Sequence, residues 1–385
     1  MTRITFLWGL LAFMPVGVNY LGLFALMGAV AWRGDVLVRL ARLKDSWLYP
    51  ALLFFAAWTF WVLIWQDTWY HKTGSNLWHQ TRIFLTIALA ASLTTAEAKA
   101  AIKGFMWGCA LVVLLVISHH AHLIPMHPFW EHLIISGANK TIGASILLSL
   151  AAGVLMAQLM IVPGQRRWLT AVALTVVLVI VTVGLSKRTG MITSLMAMGL
   201  VIIHIWRGHP WRWVTALGLL VVVVAVTWHI SPSLQVKFHE GIQEIQEGLA
   251  GAVKVESWNM RIHMIKHTWE MMTEQPLMGW GVGAWNTQWQ QRVPAEIGGL
   301  NMPHNDPLWM GAQAGVLGAL SWLFLMLSPL GLAWKARSWM GAAATAGICV
   351  ATFAALVNNG TRDASIGLPM LWVMGALISL SRIEK

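Results

Sequence analysis

Three short stretches hold side chains that could do chemistry together. His304 stands in MPHNDPLW just before a helix start, because Asn305 or Asp306 suits an N-cap and Pro307 suits the first helical position. An imidazole there has a pKa of about 6.5, can take up a proton near neutrality, and sits by the positive end of a helix dipole. Lys187 and Arg188 crowd the turn in GLSKRTG, and Arg261 lies three residues after Trp258 and four before Ile265. Guanidinium forks bind phosphate oxygens two at a time, so the simplest ligand for such a set is an anion at a membrane surface. Each residue also has a plainer reading. His304 could only help cap a helix, Arg188 could snorkel to lipid phosphate, and Arg261 could be an ordinary flank charge. Arg292 and Arg362-Asp363, in NNGTRDAS, are further candidates of low individual specificity.

The elements that must hold these groups are membrane helices. Of the 385 residues, 57% are hydrophobic and 11% charged, against about 25% charged in soluble domains. An all-α polytopic membrane protein follows, with residues 1–385 as one membrane domain. The net charge of +11 does not point to nucleic acid, because the basic residues lie in short clusters between spans and suit orientation and anionic lipid. Tryptophans near span ends, such as Trp32, Trp47, Trp168 and Trp334, suit interfacial anchoring. Cys109 and Cys349 lie far apart inside apolar runs and suggest neither a disulfide framework nor a zinc site. The N-terminal Met-Thr-Arg and apolar stretch imitate a signal peptide, but with many spans following they read as retained.

Apolar runs predict spans near 48–65, 81–96, 101–118, 141–162, 168–184, 189–206, 211–228, 307–333, 340–357 and 364–381. Residues 4–31, interrupted by Pro15, Gly17 and Asn19, are one long span or two short helices around a tight turn. Basic clusters at Arg33/Arg39/Arg42/Lys44, Lys99/Lys103, Arg166/Arg167, Arg207/Arg212, Lys335/Arg337 and Arg382/Lys385 fall on alternate loops, which makes that face cytoplasmic. With Arg3 on the same side the count is twelve; eleven spans with an outer N-terminus is the alternative. The outer face then carries 66–80, 119–140, 185–188, 229–306 and 358–363. The large loop 229–306, before the last three spans, should be partly helical. Trp258, Ile262, Ile265, Trp269 and Met272 mark the apolar stripe of a helix from Ser257 to before Pro276, and Ile242, Ile245 and Leu249 a second, shorter one.

Gly311, Gly315 and Gly318 leave one stripe of the span after His304 bare, so that a neighbouring helix or a lipid chain can come close. His304-Asn305, nine residues, then Gly315-x-x-Gly318 resembles the signature of the O-antigen ligase/polymerase superfamily, which includes protein O-oligosaccharyltransferases. The likeness extends to Arg188 in an outer turn, to Arg261 near the start of a helix in the large loop, and to PLMGWG at 276–281. It covers roughly 140–380, while the N-terminal third matches in hydropathy only.

The resemblance implies glycan transfer on the periplasmic face of a bacterial inner membrane, from undecaprenyl diphosphate to an acceptor hydroxyl. It implies His304 as base or acceptor-positioning group and Arg188 and Arg261 as diphosphate ligands, with Lys187 and Asn305 beside them and Asp363 transferred on loop position. A sugar hydroxyl is a poor nucleophile, and a neutral imidazole is worth typically ~10²–10⁴-fold as its base. With no Asp-x-Asp and few outer acids, the expectation is a metal-independent, cofactor-free, inverting transferase. His119, His120, His122, His127 and His132, and the i,i+4 pair His263/His267, are read as interfacial rather than metal-binding, with His263 a possible liner of the cleft. A single large outer loop ranks ligase, acting on lipid A-core, ahead of polymerase and protein O-oligosaccharyltransferase. A lipid-linked glycan flippase is the competing class, disfavoured because the span interiors carry almost no charge.

Overall fold

In a bilayer every backbone amide must be satisfied within its own segment, so apolar runs fold as helices. The computed structural model follows that rule: among the described residues, 1–125, 127, 130, 140–164, 167–230, 232–254 and 257–382, there are helices and no strand. In chain order they are α1 Thr2–Leu10, α2 Val16–Arg33, α3 Val36–Leu43, α4 Leu48–Trp65, α5 Thr73–Ala91 and α6 Thr95–His120. Then come α7 Lys140–Ile161, α8 Arg167–Gly184 with a final π turn, α9 Arg188–Ile205 and α10 Pro210–Ile230. The large loop supplies α11 Pro232–Leu249, α12 Ser257–Glu274, α13 Trp285–Arg292 and α14 Ala295–Gly298, and the chain ends with α15 Asp306–Leu327, α16 Leu330–Lys335, α17 Trp339–Asn358 and α18 Ala364–Ser381. Glu131, His132, Arg166 and Lys385 lie outside the described residues.

All twelve expected segments are helical, yet among the described residues 9 helices are long and apolar enough to cross a membrane. Of the other three, α1 and α5 fall short for separate reasons, and α10 is described only in part. Residues 4–31 do form two helices, but α1 has 9 residues and reaches only about 14 Å at 1.5 Å per residue. The first turns of α5 are polar, whereas α10 is an apolar helix of 21 residues whose side chains are fully described over Pro210–Val222. The α1 segment lies against α6 backbone to backbone: a Cβ on Gly104 would stand 2.0 Å from the Phe6 carbonyl oxygen. Trp8 then stacks on Trp372 at 4.0 Å, which ties the N-terminus to α18, buried almost all round.

One end of the bundle is locked by the basic residues. Arg39, expected as a loop charge, is buried in a paired contact with Glu97 at 3.0 and 2.9 Å, and Glu97 also completes a capping box with Thr94. Arg42 reaches the Ser92 carbonyl, Arg207 the Trp334 carbonyl and Arg382 the Ala91 carbonyl. The large loop caps the opposite end. There Trp285 and Trp289 stack at 5.2 Å, and Trp285 Nε1 donates to Thr268 Oγ1 at 2.9 Å. The second loop helix, α11, is not the shorter one: it has 18 residues, as α12 has.

The bare glycine stripe serves the loop rather than lipid. The α15 helix breaks at Ala314 and Gly315, and Gly315 takes φ 69° and ψ −172°, a region in which essentially only glycine rests. The PLMGWG segment fills the break. Trp280 and Gly281 amides donate to the Ala312 and Gln313 carbonyls at 2.9 and 3.0 Å, the Val316 amide donates to the Pro276 carbonyl at 2.8 Å, and Trp58 Nε1 donates to the Ala314 carbonyl at 2.8 Å. The Ala312, Gln313 and Ala314 carbonyls and the Val316 amide are thereby re-satisfied, as membrane depth requires. A Cβ at Gly315 would stand 2.2 Å from the Leu277 oxygen. Gly315→Ala is therefore expected to cost about 2–6 kcal/mol, backbone strain and overpacking contributing about 1–3 each. Thermal unfolding in detergent should show the loss, whereas Gly218→Ala, with nothing within 4 Å, should not lower the midpoint.

Candidate active site

The sequence candidates meet at the capped end. The π turn that ends α8 carries the chain into Ser186, and Arg188 opens α9; Lys187, Arg188, Thr189, Trp258 and Arg261 line one cleft of ≈ 360 Å³ with Ile142, Ile192, Phe353 and Val357. Its rim is cationic and its walls are apolar. Arg261 Nη2 donates to Asn358 Oδ1 at 2.9 Å, and Asn358 Nδ2 donates to Thr189 Oγ1 at 3.0 Å, so one amide ties Arg261 to the residue after Arg188. The Arg261 guanidinium also lies 5.2 Å from the Trp258 ring centroid, a cation–π geometry. Arg261 is thus no flank charge. Burial pushes its pKa down, the Glu244 carboxylate raises it, and Arg188 lowers it again.

Two acids that sequence reasoning passed over stand near Arg188, Glu240 in the cleft lining and Glu244 one helical turn on. Arg188 Nη2 stands 3.8 Å from Glu240 Oε2 and 4.0 Å from Glu244 Oε1. Glu244 is held by the Trp258 amide, which donates to its Oε2 at 2.8 Å. The i,i+4 spacing of these acids on α11 was the available signal, but nothing local says that Arg188 is their partner.

His304 adjoins this cleft through Arg261. Its backbone is left-handed, φ 52°, and its Nδ1 is buried with no hydrogen-bond partner. The other left-handed non-glycine residues include Ser186, φ 54°, and Asn359, φ 49°. Strain of this kind costs on the order of 1–3 kcal/mol and gathers at functional sites; here it brackets Arg188, His304 and Arg362. Burial first, then the charges of Arg261 and Arg362, push the His304 imidazole down to about 4, with Asp363 pulling the other way. This corrects the expectation of an unperturbed imidazole: the ring is neutral at pH 7, but it is a weaker base than a free histidine.

Asn305 and Asp363 sit beside this group with their side chains committed to the fold. Asn305 Oδ1 accepts from the Leu308 amide at 2.9 Å and caps α15, while its Nδ2 donates to the Leu356 carbonyl at 3.1 Å. Asp363 caps α18 through the Ser365 amide at 2.9 Å and the Ser365 hydroxyl at 2.7 Å. The span interiors are less free of charge than expected. Arg82, on α5, is buried; it donates to the carbonyls of Thr361 and Arg362 and to the Tyr20 hydroxyl. Asp306 takes the Thr361 amide at 2.8 Å on its Oδ2. These contacts fix the 359–363 turn.

The remaining candidates lie elsewhere. His263 is buried and turned to the Ala252 carbonyl at 2.8 Å, away from the cleft lining, and His267 pairs with Glu270 at 2.8 Å. Arg292 pairs with Glu274 and lies over Trp280. No curated protein matches the chain. Residues 173–323, running from α8 into α15, match the family model of O-antigen ligases. That segment holds Lys187, Arg188, Arg261, His304 and Asn305 together with the broken helix that carries Gly315 and Gly318, and over it this multi-pass membrane protein is similar to the O-antigen ligases.

Proposed function

We propose that the protein is an O-antigen ligase. It transfers a glycan from undecaprenyl diphosphate to a hydroxyl of lipid A-core oligosaccharide at the periplasmic face of the bacterial inner membrane. The observation that carries this reading is the succession Arg188, Arg261, His304 at the end of the bundle opposite the basic loops. A diphosphate on Lys187, Arg188 and Arg261 would have its charge matched by forks, without a metal, while the carrier chain follows the apolar wall of Ile192, Phe353 and Val357. The acceptor oxygen attacks the anomeric carbon, the bond from that carbon to the diphosphate oxygen breaks with its electron pair on the diphosphate, and the hydroxyl proton passes to His304. Attack from the face opposite the diphosphate inverts the anomeric centre.

The bound anion also tunes the base. A negative charge a few ångströms away offsets Arg261 and raises the imidazole by on the order of one to two pH units. The acid limb of kcat/KM, which reports free enzyme, should therefore lie near pH 4, and that of kcat, which reports the loaded enzyme, higher. The folding sign agrees. A histidine whose native pKa is depressed binds fewer protons folded than unfolded, so its contribution is full above about 6.5 and is lost as pH falls toward 4. A kcat/KM limb at 6.5 or above would remove this account of His304.

The experiment is transfer by purified protein supplied with a polyprenyl-diphosphate glycan and rough lipopolysaccharide, with and without chelator. Glycan on lipid A-core, inverted and insensitive to chelator, is the expected product. Lengthened carrier-linked glycan would mean a polymerase, glycan on protein an oligosaccharyltransferase, and translocation in liposomes without transfer a flippase.

A further inference from the structure

Beside His304 lies a guanidinium that the fold does not use. Arg362 is 7% exposed, yet its Nε has no hydrogen-bond partner, and among the described residues no ion pair holds it. Its visible contact is the Trp309 ring, 5.3 Å from the centroid. Buried Arg82 makes the contrast, with its guanidinium spent on carbonyls and a tyrosine hydroxyl. In the same turn Asn359 is fully buried, and both of its amide atoms lack partners. Leaving buried charge and amide groups unmatched is costly, and native structures seldom do so without a ligand or water to meet them.

Electrostatic neighbours give the order of the charges. Arg261 is influenced by Glu244 and Arg188; Arg362 is influenced by Asp306, Arg82 and Asp363; His304 is influenced by Arg261 and Arg362 alike, and by Asp363. His304 is therefore the group shared by two cationic neighbourhoods. Of the carboxylates near Arg362, Asp306 Oδ2 accepts from Thr361 and Asp363 Oδ1 from Ser365, while Asp306 Oδ1, like Arg362 Nε, is buried without a hydrogen-bond partner.

We propose that Arg362, with the Asn359 amide, forms an acceptor subsite across His304 from Arg188 and Arg261. It takes an anionic group, phosphate or carboxylate, carried by the acceptor close to the hydroxyl that reacts. This rests on the transferase reading above and adds to it a specificity: the acceptor must be charged near its reacting hydroxyl. A cation there also places that hydroxyl against an imidazole kept neutral.

The test uses the full-length protein in detergent with rough lipopolysaccharide, either untreated, phosphatase-treated or carboxyl-reduced, with donor and acceptor KM measured separately. The wild type should prefer the untreated acceptor, and whichever treatment abolishes the preference identifies the anion. Arg362→Gln should raise the acceptor KM about tenfold or more on untreated acceptor, leave donor KM within about twofold, and add nothing on the treated acceptor that wild type already disfavours. Arg362→Lys should recover part of the loss. Asn359→Gly keeps the left-handed backbone accessible and should raise acceptor KM severalfold, which decides the matter if the arginine variants do not fold. Equal effects on all acceptors, a shift in donor KM, or no effect, as for water-filled packing, would overturn the subsite. Retention of lipopolysaccharide by immobilised protein reads the same preference without turnover, so a wild type that binds but does not transfer would sink the ligase reading and leave this one standing.

Discussion

His304→Ala should give a protein that inserts, folds and binds donor but transfers glycan at least about 10²-fold more slowly. The expectation follows from where the ring sits. The imidazole is kept neutral by burial and by Arg261 and Arg362, and its Nδ1 has no partner within the fold. Removing it therefore breaks no hydrogen bond that holds the site. The cap on α15 belongs to Asn305, and alanine keeps the Cβ that sets the cost of the left-handed backbone, so the strain at position 304 stays much as it was. Unfolding midpoint and donor retention should stay near wild type while kcat falls. A variant with unchanged kcat would remove His304 from the chemistry.

Arg261→Lys carries the second large effect. The substitution keeps one positive charge but loses the fork, the planar face on Trp258 and the fixed donation to Asn358. Loss of charge-assisted bonds to a diphosphate, at about 1.5–3 kcal/mol each, is worth roughly 10–10²-fold in transfer. It should appear as weaker donor binding. Arg188→Lys should do less, because Arg188 is more exposed and is already shared with Glu240 and Glu244. Equal, near-normal rates in both variants would favour contacts to lipid headgroups over the donor.

Much of this architecture was legible because hydropathy and basic clusters act locally. The two-helix reading of residues 4–31, the helix 257–274, the cap at Asn305 and the glycine spacing after it all follow from nearest-neighbour physics. What was not legible depends on partners far away in sequence. The apolar stripe of α12 was read as Trp258, Ile262, Ile265, Trp269 and Met272, yet Ile265 and Trp269 are 41% and 54% exposed, and the buried face runs through Asn259, His263, Met264, Thr268 and Met271. A short helix lying on the end of a bundle can bury polar groups against loop carbonyls, as His263 does with Ala252, so periodicity of apolar residues alone misplaces its inner face. The break at Gly315 needed the PLMGWG backbone to be seen beside it, and Arg82 gave no sign of its reach to the 359–363 turn. For the same reason, the depressed basicity of His304 comes from Arg261 and Arg362, 43 and 58 positions away in the chain.

The most direct measurement separates binding from chemistry in one preparation: affinity for a polyprenyl-diphosphate glycan and single-turnover transfer to rough lipopolysaccharide, for wild type, His304→Ala and Arg261→Lys. The account predicts that His304→Ala binds donor normally without transferring it, and that Arg261→Lys binds donor poorly. Normal transfer by His304→Ala, or donor affinity undiminished in Arg261→Lys, would contradict it.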